Sequence, residues 1–386
     1  MMASTPRLTR KRLAIASAAA VFLVFIIVFL AGWYFASVLD ADGLRIPTSP
    51  DPFSLQVAAL GDGQVTLRPA PGTAGDQNML HASNWGIESE SGYAHVGSII
   101  SSGPSEVIRE FRPLAGQIST GDLVRLDRAA FPPDPLIAHD LEYRMAYIEG
   151  ELGPMPAWLI EGSSSTWAIF VHGWRSNRKD AMRMLPVFVQ HEIPSLVISY
   201  RNDDSSPLDP SGRYRFGLTE WKDLESAVHF ALDSGAEDIV LVGFSMGGGI
   251  SLNFMHHSDL SDSVRAMILD APMLDFGRTV DLGASERGVP GPVTWVAKQI
   301  AAARFGVRWA AMNYLPWADE LTVPVLLFHG DEDTRVPMTL SDEWAASRED
   351  LIEYHRFSGA QHVGAWNVDP QRYEDTVRAF LTTHVR

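Results

Sequence analysis

Ser245, Asp333 and His362 are a serine, a carboxylate and an imidazole, the three side-chain types that an activated serine nucleophile needs. The serine lies in Gly243-Phe244-Ser245-Met246-Gly247, directly after the apolar run Ile239 to Val242 and directly before Gly248-Gly249-Ile250-Ser251-Leu252. That pattern predicts a strand, a sharp turn and a helix. Glycine is wanted on both sides because a β-carbon there would collide with the neighbouring strand or helix. A serine hydroxyl is a poor nucleophile at neutral pH, so an imidazole must take its proton during attack and a buried carboxylate must hold that imidazole in the right tautomer. The apolar run Leu321 to Phe328 leads into His329-Gly330-Asp331-Glu332-Asp333-Thr334-Arg335-Val336-Pro337, which sets a carboxylate just past a strand. Leu351 to Phe357 reads as the next strand, and its exit loop Ser358-Gly359-Ala360-Gln361-His362 offers the imidazole. Asp333 is the candidate acid and His362 the candidate base. Asp331, two residues earlier, and Asp270, closing the run Val264 to Leu269, are the alternatives for the acid.

An acyl-transfer site also needs two N–H groups for the developing oxyanion. One comes from the residue after the nucleophile, Met246. The other comes from the loop His172-Gly173-Trp174 that follows the strand Thr166 to Val171, with Trp174 preferred as donor and Gly173 second. His172 reads as a structural histidine. No phosphate-binding pattern of the type G-x-x-x-x-G-K-[ST] or G-x-G-x-x-G occurs at the serine turn, so a nucleotide site is not expected there. The chain has no cysteine, which removes disulfides, zinc–thiolate sites and a cysteine nucleophile. His81, His95 and His139 lack metal-ligand spacing and read as surface or packing residues.

Strand-like runs beginning near Thr166, Ser195, Asp238, Val264, Val323 and Leu351 alternate with segments of helical period such as Leu218 to Asp233 and Arg372 to Val385. Such alternation predicts a parallel sheet covered on both faces. The segment 273–317 interrupts it as a lid-like insertion. Trp295, Phe305 and Trp309 there could wall an acyl pocket or form the core face of a packing helix.

The front of the chain has a different texture. Leu13 to Leu39 carries no charge and is long enough to cross a bilayer. Arg7, Arg10, Lys11 and Arg12 precede it, and Asp40 and Asp42 follow. The positive-inside bias then predicts a cytoplasmic basic tail (1–12), a retained single-pass anchor (13–39) with Trp33 and Tyr34 at an interface, and an extracytoplasmic remainder. A cleaved signal peptide is the competing expectation. Residues 40–140 are rich in Gly, Pro and Ser, with short alternating runs at Ser54 to Val57, Gln64 to Leu67, Tyr93 to Val96, Val107 to Phe111 and Leu123 to Leu126, which predicts a small β-rich region. Pro132-Pro133-Asp134-Pro135 reads as a stiff linker to a catalytic domain over 141–386. A formal charge of −16, with no basic run outside the N-terminus, argues against nucleic acid as a partner.

Taken together, Gly153-Pro154-Met155-Pro156-Ala157-Trp158-Leu159, His172-Gly173-Trp174, Tyr200-Arg201-Asn202, Gly243-Phe244-Ser245-Met246-Gly247-Gly248, His329-Gly330 with Asp333, and His362 resemble the α/β-hydrolase superfamily, in its serine esterase and prolyl-oligopeptidase-like branches. The resemblance runs from about Tyr143 to the C-terminus. It implies an α/β fold with a mostly parallel eight-stranded sheet flanked by helices, here preceded by one transmembrane helix and the β-rich region. It also implies hydrolysis of an ester, thioester or amide without cofactor or metal. The leading expectation is a membrane-anchored serine hydrolase acting on small or lipid-like carboxylic esters. A prolyl-oligopeptidase-like peptidase and a non-catalytic hydrolase-fold binding module are the alternatives.

Overall fold

The computed structural model describes residues 6–47 and 51–385. Its first element is the helix α1 (Pro6–Val38), which runs on into one π-helical turn at Leu39–Leu44. Residues 1–5 of the expected basic tail lie outside the described residues. The rest of that tail is already the start of α1.

Six strands then close on themselves as a barrel: β1 (Leu55–Gly61), β2 (Gln64–Pro69), β3 (Trp85–Glu88), β4 (Gly92–Ser102), β5 (Val107–Gly116) and β6 (Leu123–Asp127), in the order β1-β2-β5-β4-β3-β6. Closure leaves no unpaired edge. Alternate residues point inward, and Leu55, Val57, Val65, Leu67, Ile87, Ala94, Val96, Val107 and Val124 fill the interior. Five of the strands coincide with the sequence runs. The sixth, β3, was not expected, because Trp-Gly-Ile-Glu is too short to show a period.

A short helix α2 (Pro135–His139) follows, its N-terminus capped by the Asp134 carboxylate, which accepts from the N–H groups of Leu136 and Ile137. The preceding Phe131 packs on Trp366 at 5.0 Å between ring centroids. The proline-rich stretch is therefore docked on the second unit rather than spanning free space.

That unit is an eight-stranded sheet of β7 (Arg144–Gly150), β8 (Gly153–Ile160), β9 (Thr166–Val171), β10 (Ser195–Ile198), β11 (Asp238–Phe244), β12 (Val264–Asp270), β13 (Val325–Gly330) and β14 (Ile352–Phe357). The spatial order is β14-β13-β12-β11-β9-β10-β8-β7, parallel except where β8 pairs antiparallel with both neighbours. Central strands are apolar on both faces because helices cover both. Ile239 and Leu241 of β11 enter one core, Val240, Val242 and Phe244 the other. The first core is closed by α4 (Trp221–Asp233), α5 (Met246–His257), α7 (Gly291–Phe305) and α8 (Met338–Ser347). The second is closed by α3 (Leu185–Gln190), α9 (Ala365–Val368) and α10 (Pro370–His384). The remaining helix, α6 (Phe276–Glu286), begins the insertion after β12.

Two junctions join these units. The barrel sends its 77–84 loop to the rim of the second unit. Asn84 N–H and its side-chain amide donate to Asn367 O, Asn367 returns a hydrogen bond to Asn84 O, and the Gln361 amide donates to Asn78 Oδ1 at 3.1 Å. Arg109, fully buried in the barrel, holds that loop by donating to the carbonyls of Met79, His81 and Ser83, and to Gly97. At the other end, Asp40 closes α1 against the second unit. Its carboxylate accepts from Arg213 at 2.6 Å and from Arg45 at 2.8 Å. Burial pushes that carboxyl up, but the two guanidinium groups outweigh it and hold the pKa below the usual value.

Candidate active site

Ser245 occupies the tip of the turn between β11 and α5 with φ 52° and ψ −114°, a conformation that an L-residue rarely adopts. The flanking glycines make it possible. A Cβ on Gly247 would overlap Val171 O, and one on Gly243 would stand 2.8 Å from the Gly248 backbone. The strained turn thus lets α5 start hard against β9 and lifts the hydroxyl beyond the sheet.

The loops after β13 and β14 bring the other two residues to it. His362 Nε2 lies 2.8 Å from Ser245 Oγ, and His362 Nδ1 lies 2.7 Å from Asp333 Oδ2. The carboxylate fixes the tautomer: Nδ1 carries the hydrogen, and Nε2 is free to accept the serine proton. Burial is the main influence on His362 and lowers its pKa, although Asp333 pulls the other way. It is therefore neutral at pH 7, as a general base must be.

The Asp333 side chain is fully buried, and its four hydrogen bonds leave no vacancy. Oδ1 accepts from the N–H groups of Arg335 and Val336, and Oδ2 from His362 and from His329 Nε2 at 3.0 Å. Burial would raise its pKa, but the charge and hydrogen bonds of the two histidines hold it far below the usual carboxylate range. His329 was visible in the sequence only as part of the His-Gly pair ending β13. Its second nitrogen bonds Ser341 Oγ at 2.7 Å, which locks the ring behind the acid.

The alternative acids sit elsewhere. Asp331 Oδ1 accepts the Gly359 N–H at 2.7 Å and so ties the acid loop to the loop of His362. Asp270, buried at the end of β12, accepts from Tyr373 O–H at 2.9 Å and makes no hydrogen bond to His362. Burial pushes its carboxyl up to about 6, against the opposing influence of Arg183 and Tyr373.

The loop His172-Gly173-Trp174 follows β9. Gly173 N–H is engaged by Asp180 Oδ2 at 3.3 Å, whereas Trp174 N–H meets no acceptor among the described residues, which separates the two sequence candidates. Met246 N–H, at the first position of α5, is likewise uncommitted, as the leading N–H groups of a helix are. His172 sits beneath. Nδ1 faces Gly173 O at 2.9 Å and Nε2 faces Asp203 Oδ2 at 2.7 Å, so both nitrogens meet acceptors and both carry hydrogen. Burial opposes that charge, but Asp203 prevails and raises the pKa. Tyr200 stacks on the ring and donates to the carbonyls of His172 and Gly173.

In the insertion 273–317, Trp295 is 64% exposed. Phe305 carries the guanidinium groups of Arg213 and Arg304, and Trp309 stacks on Phe276 and donates to Lys298 O. None of the three hydrogen-bonds or stacks with the Ser245–His362 pair. Among the described residues no cluster of His, Asp and Glu has metal-binding geometry.

The same architecture occurs in known proteins. The esterase Pf2001 of Pyrococcus furiosus superposes with a TM-score of 0.53 at 21% identity, over 64% of this chain and 93% of that one. Est1E of Butyrivibrio proteoclasticus, solved with ferulic acid bound, gives 0.50 at 18% over 62% of this chain and 99% of that one. A puromycin-hydrolysing peptidase of Mycobacterium tuberculosis gives 0.51 at 18% over 86% of this chain and 54% of that one. No curated protein matches the sequence significantly. A sequence model described as the alpha/beta hydrolase family matches residues 168–376. That span is more than half of the chain and includes Ser245, Asp333 and His362, so the chain belongs to the alpha/beta hydrolase family and is a hydrolase.

Proposed function

We propose that the protein hydrolyses carboxylic esters through an acyl-enzyme on Ser245. The observation that carries this is the pair of contacts at His362, 2.8 Å to the serine oxygen and 2.7 Å to Asp333. In the first half-reaction His362 takes the serine proton while Oγ bonds to the carbonyl carbon, and the oxyanion is met by the N–H groups of Met246 and Trp174. Collapse expels the alcohol, which leaves with the proton from His362. In the second half, His362 deprotonates a water that attacks the acyl group, and the acid is released with Ser245 restored. No metal or cofactor takes part in these steps.

The substrates proposed are small or lipid-like esters, met at a membrane to which α1 anchors the enzyme, with the catalytic unit outside the cytoplasm. α1 is long and apolar enough to cross a bilayer. Retention of the anchor is supported by its junction with the catalytic unit: Ala36 is wholly buried and Asp40 is ion-paired with Arg213, and cleavage near residue 40 would expose both partner surfaces. Nucleic acid is not among the proposed partners.

One observation favours a peptidase as the second candidate. The likeness to the puromycin-hydrolysing peptidase covers 86% of this chain, against 62 to 64% for the two esterases, so it extends beyond the catalytic unit. A panel of p-nitrophenyl acyl esters and aminoacyl or prolyl arylamides separates the two. The ester reading expects hydrolysis of the esters and little cleavage of the amides. A kcat/KM on any amide equal to that on the best ester would replace it with the peptidase.

A further inference from the structure

We propose that the segment 289–296, at the start of α7, lies in the outer interface of a lipid bilayer beside α1. There Trp295, Pro290 and Pro292 contact lipid and seat the catalytic unit directly on the membrane. This rests on the reading of α1 as a membrane-spanning anchor and goes beyond it, since a span alone leaves the domain on a tether.

The first support is the packing of the two helices. A Cβ on Gly32 would come within 2.5 Å of Val296 Cγ1, so the backbones approach closely there. Further out, Arg304 lies 4.0 Å over the Trp33 ring and donates to Ser37 Oγ at 2.9 Å. From Val296 to Arg304 and from Gly32 to Ser37 both chains advance in the same sense. The start of α7 therefore points back along α1, toward the part that would lie in the membrane. Val28, Gly32 and Ala36, spaced by four, are partly or wholly buried together with Ala31 and Phe35 beside them, whereas Trp33 and Tyr34 stay exposed.

The second support is a comparison of lengths. The uncharged run Leu13 to Leu39 spans 27 residues. At a rise of about 1.5 Å that is roughly 40 Å, against a hydrocarbon core of about 30 Å. With the inner end fixed by the basic residues before Leu13, the outer boundary falls near Gly32 and Trp33. Val296 touches α1 at that level, so its neighbour Trp295 stands there too. Trp33, Tyr34 and Trp295, exposed by 46%, 62% and 64%, then form one belt at one depth, which is where amphipathic rings are most stable.

The third support is composition. Gly288 to Ala297 carries no charge in a chain of net −16, and Pro290, Gly291, Pro292 and Trp295 are all exposed. Water is a poor environment for that surface. Its continuity with the apolar face of α1 identifies lipid as the occupant.

The absence of cysteine makes the test direct. Single-cysteine variants Trp295→Cys, Gly291→Cys, Phe25→Cys and Thr382→Cys of the full chain would each carry an environment-sensitive fluorophore. A Cβ on Gly291 meets nothing within 4 Å, which guards against misfolding at that position. Reactivity with a fluorophosphonate checks each variant for an intact fold. The proteins are reconstituted in phosphatidylcholine–phosphatidylglycerol vesicles containing lipid with a nitroxide at a shallow acyl position. Labels at 295 and 291 should be blue-shifted and quenched severalfold more than the label at 382, with 25 also shielded from water. Labels at 295 and 291 that behave like 382, while 25 is embedded, would overturn the proposal and leave the anchor standing. A label at 25 that is as exposed as 382 would overturn the anchor and the proposal with it.

Discussion

At the scale of residues, the decisive arrangement is the isolation of one carboxylate from its two rivals. Asp333 has four donors and one of them is the proposed base, whereas Asp331 serves a turn and Asp270 serves Tyr373. Asp333→Asn would place an amide donor where His362 Nδ1–H needs an acceptor, so the ring would turn or change tautomer. We expect kcat to fall by about 10⁴-fold. Asp331→Asn and Asp270→Asn should stay within about tenfold of the parent in kcat/KM. A larger loss with Asp270→Asn than with Asp333→Asn would move the acid to the end of β12. The pH profile follows from His362. Its pKa is lowered by burial, and the neutral form is the one the proposed mechanism uses. Activity should therefore be flat near pH 7 and fall on acidification, with a midpoint below about 6.5, the ordinary histidine value. A kcat/KM profile with its acid limb above that value would contradict the assignment. Order along the chain and position at strand ends pointed to Ser245, Asp333 and His362, with Asp331 and Asp270 left as alternatives for the acid. His329 and Asp180 were not legible as supports, because their roles depend on loops that meet only in three dimensions.

At the scale of elements, the loop His172-Gly173-Trp174, the proposed oxyanion loop, is held from below by a charge pair. His172 is doubly protonated between Gly173 O and Asp203, and Asp180 takes the Gly173 N–H, while Trp174 N–H meets no acceptor among the described residues. His172→Gln can replace at most one of these contacts well. We expect kcat to fall by about 10²-fold, with a smaller change in KM, because the oxyanion is met only in the transition state. A change confined to KM would mean that the loop positions substrate instead. The sequence presented His172 as structural, and its place next to the candidate donor gave no sign that it would be charged. Arg109 is a second element-scale device. Burial lowers its pKa to about 10, yet it remains a cation at pH 7, and every partner it has is a backbone carbonyl. Arg109→Met would orphan the carbonyls that fasten the 77–84 loop and should cost about 3–5 kcal/mol of barrel stability, read by denaturant titration, with faster proteolysis inside that loop. Stability within about 1 kcal/mol of the parent would show that the loop is held by its contacts with the second unit, through Asn367 and Gln361, rather than by Arg109.

For the whole molecule, the sequence announced three textures and the fold has three matching parts. The parallel sheet was legible because strands buried on both faces read as continuous apolar runs, and because each is followed by a helix with its own period. The closure of the front region into a barrel was not legible. Pairing of β1 with β6 is a long-range event, and β3 carries no pattern of its own. The docking of α1 on α7 was equally hidden, since small residues such as Gly32 and Ala36 look like any others in an apolar run. That docking has a consequence for topology. A helix tied to its domain by Asp40–Arg213 and by the contact at Gly32 should stay with the membrane fraction after carbonate or high-salt washing, and protease added to spheroplasts should digest the domain after Asp40. A soluble mature protein beginning near residue 40 would contradict retention.

The central claim is that Ser245 forms the covalent intermediate. The most direct measurement is reaction of the full-length protein with a fluorophosphonate, followed by peptide mapping of the adduct. The account predicts a single adduct on Ser245, abolished by Ser245→Ala along with about 10⁴-fold or more of ester turnover, while the fold is unchanged. An adduct on another residue, or a Ser245→Ala protein that still turns over esters near the parental rate, would contradict it.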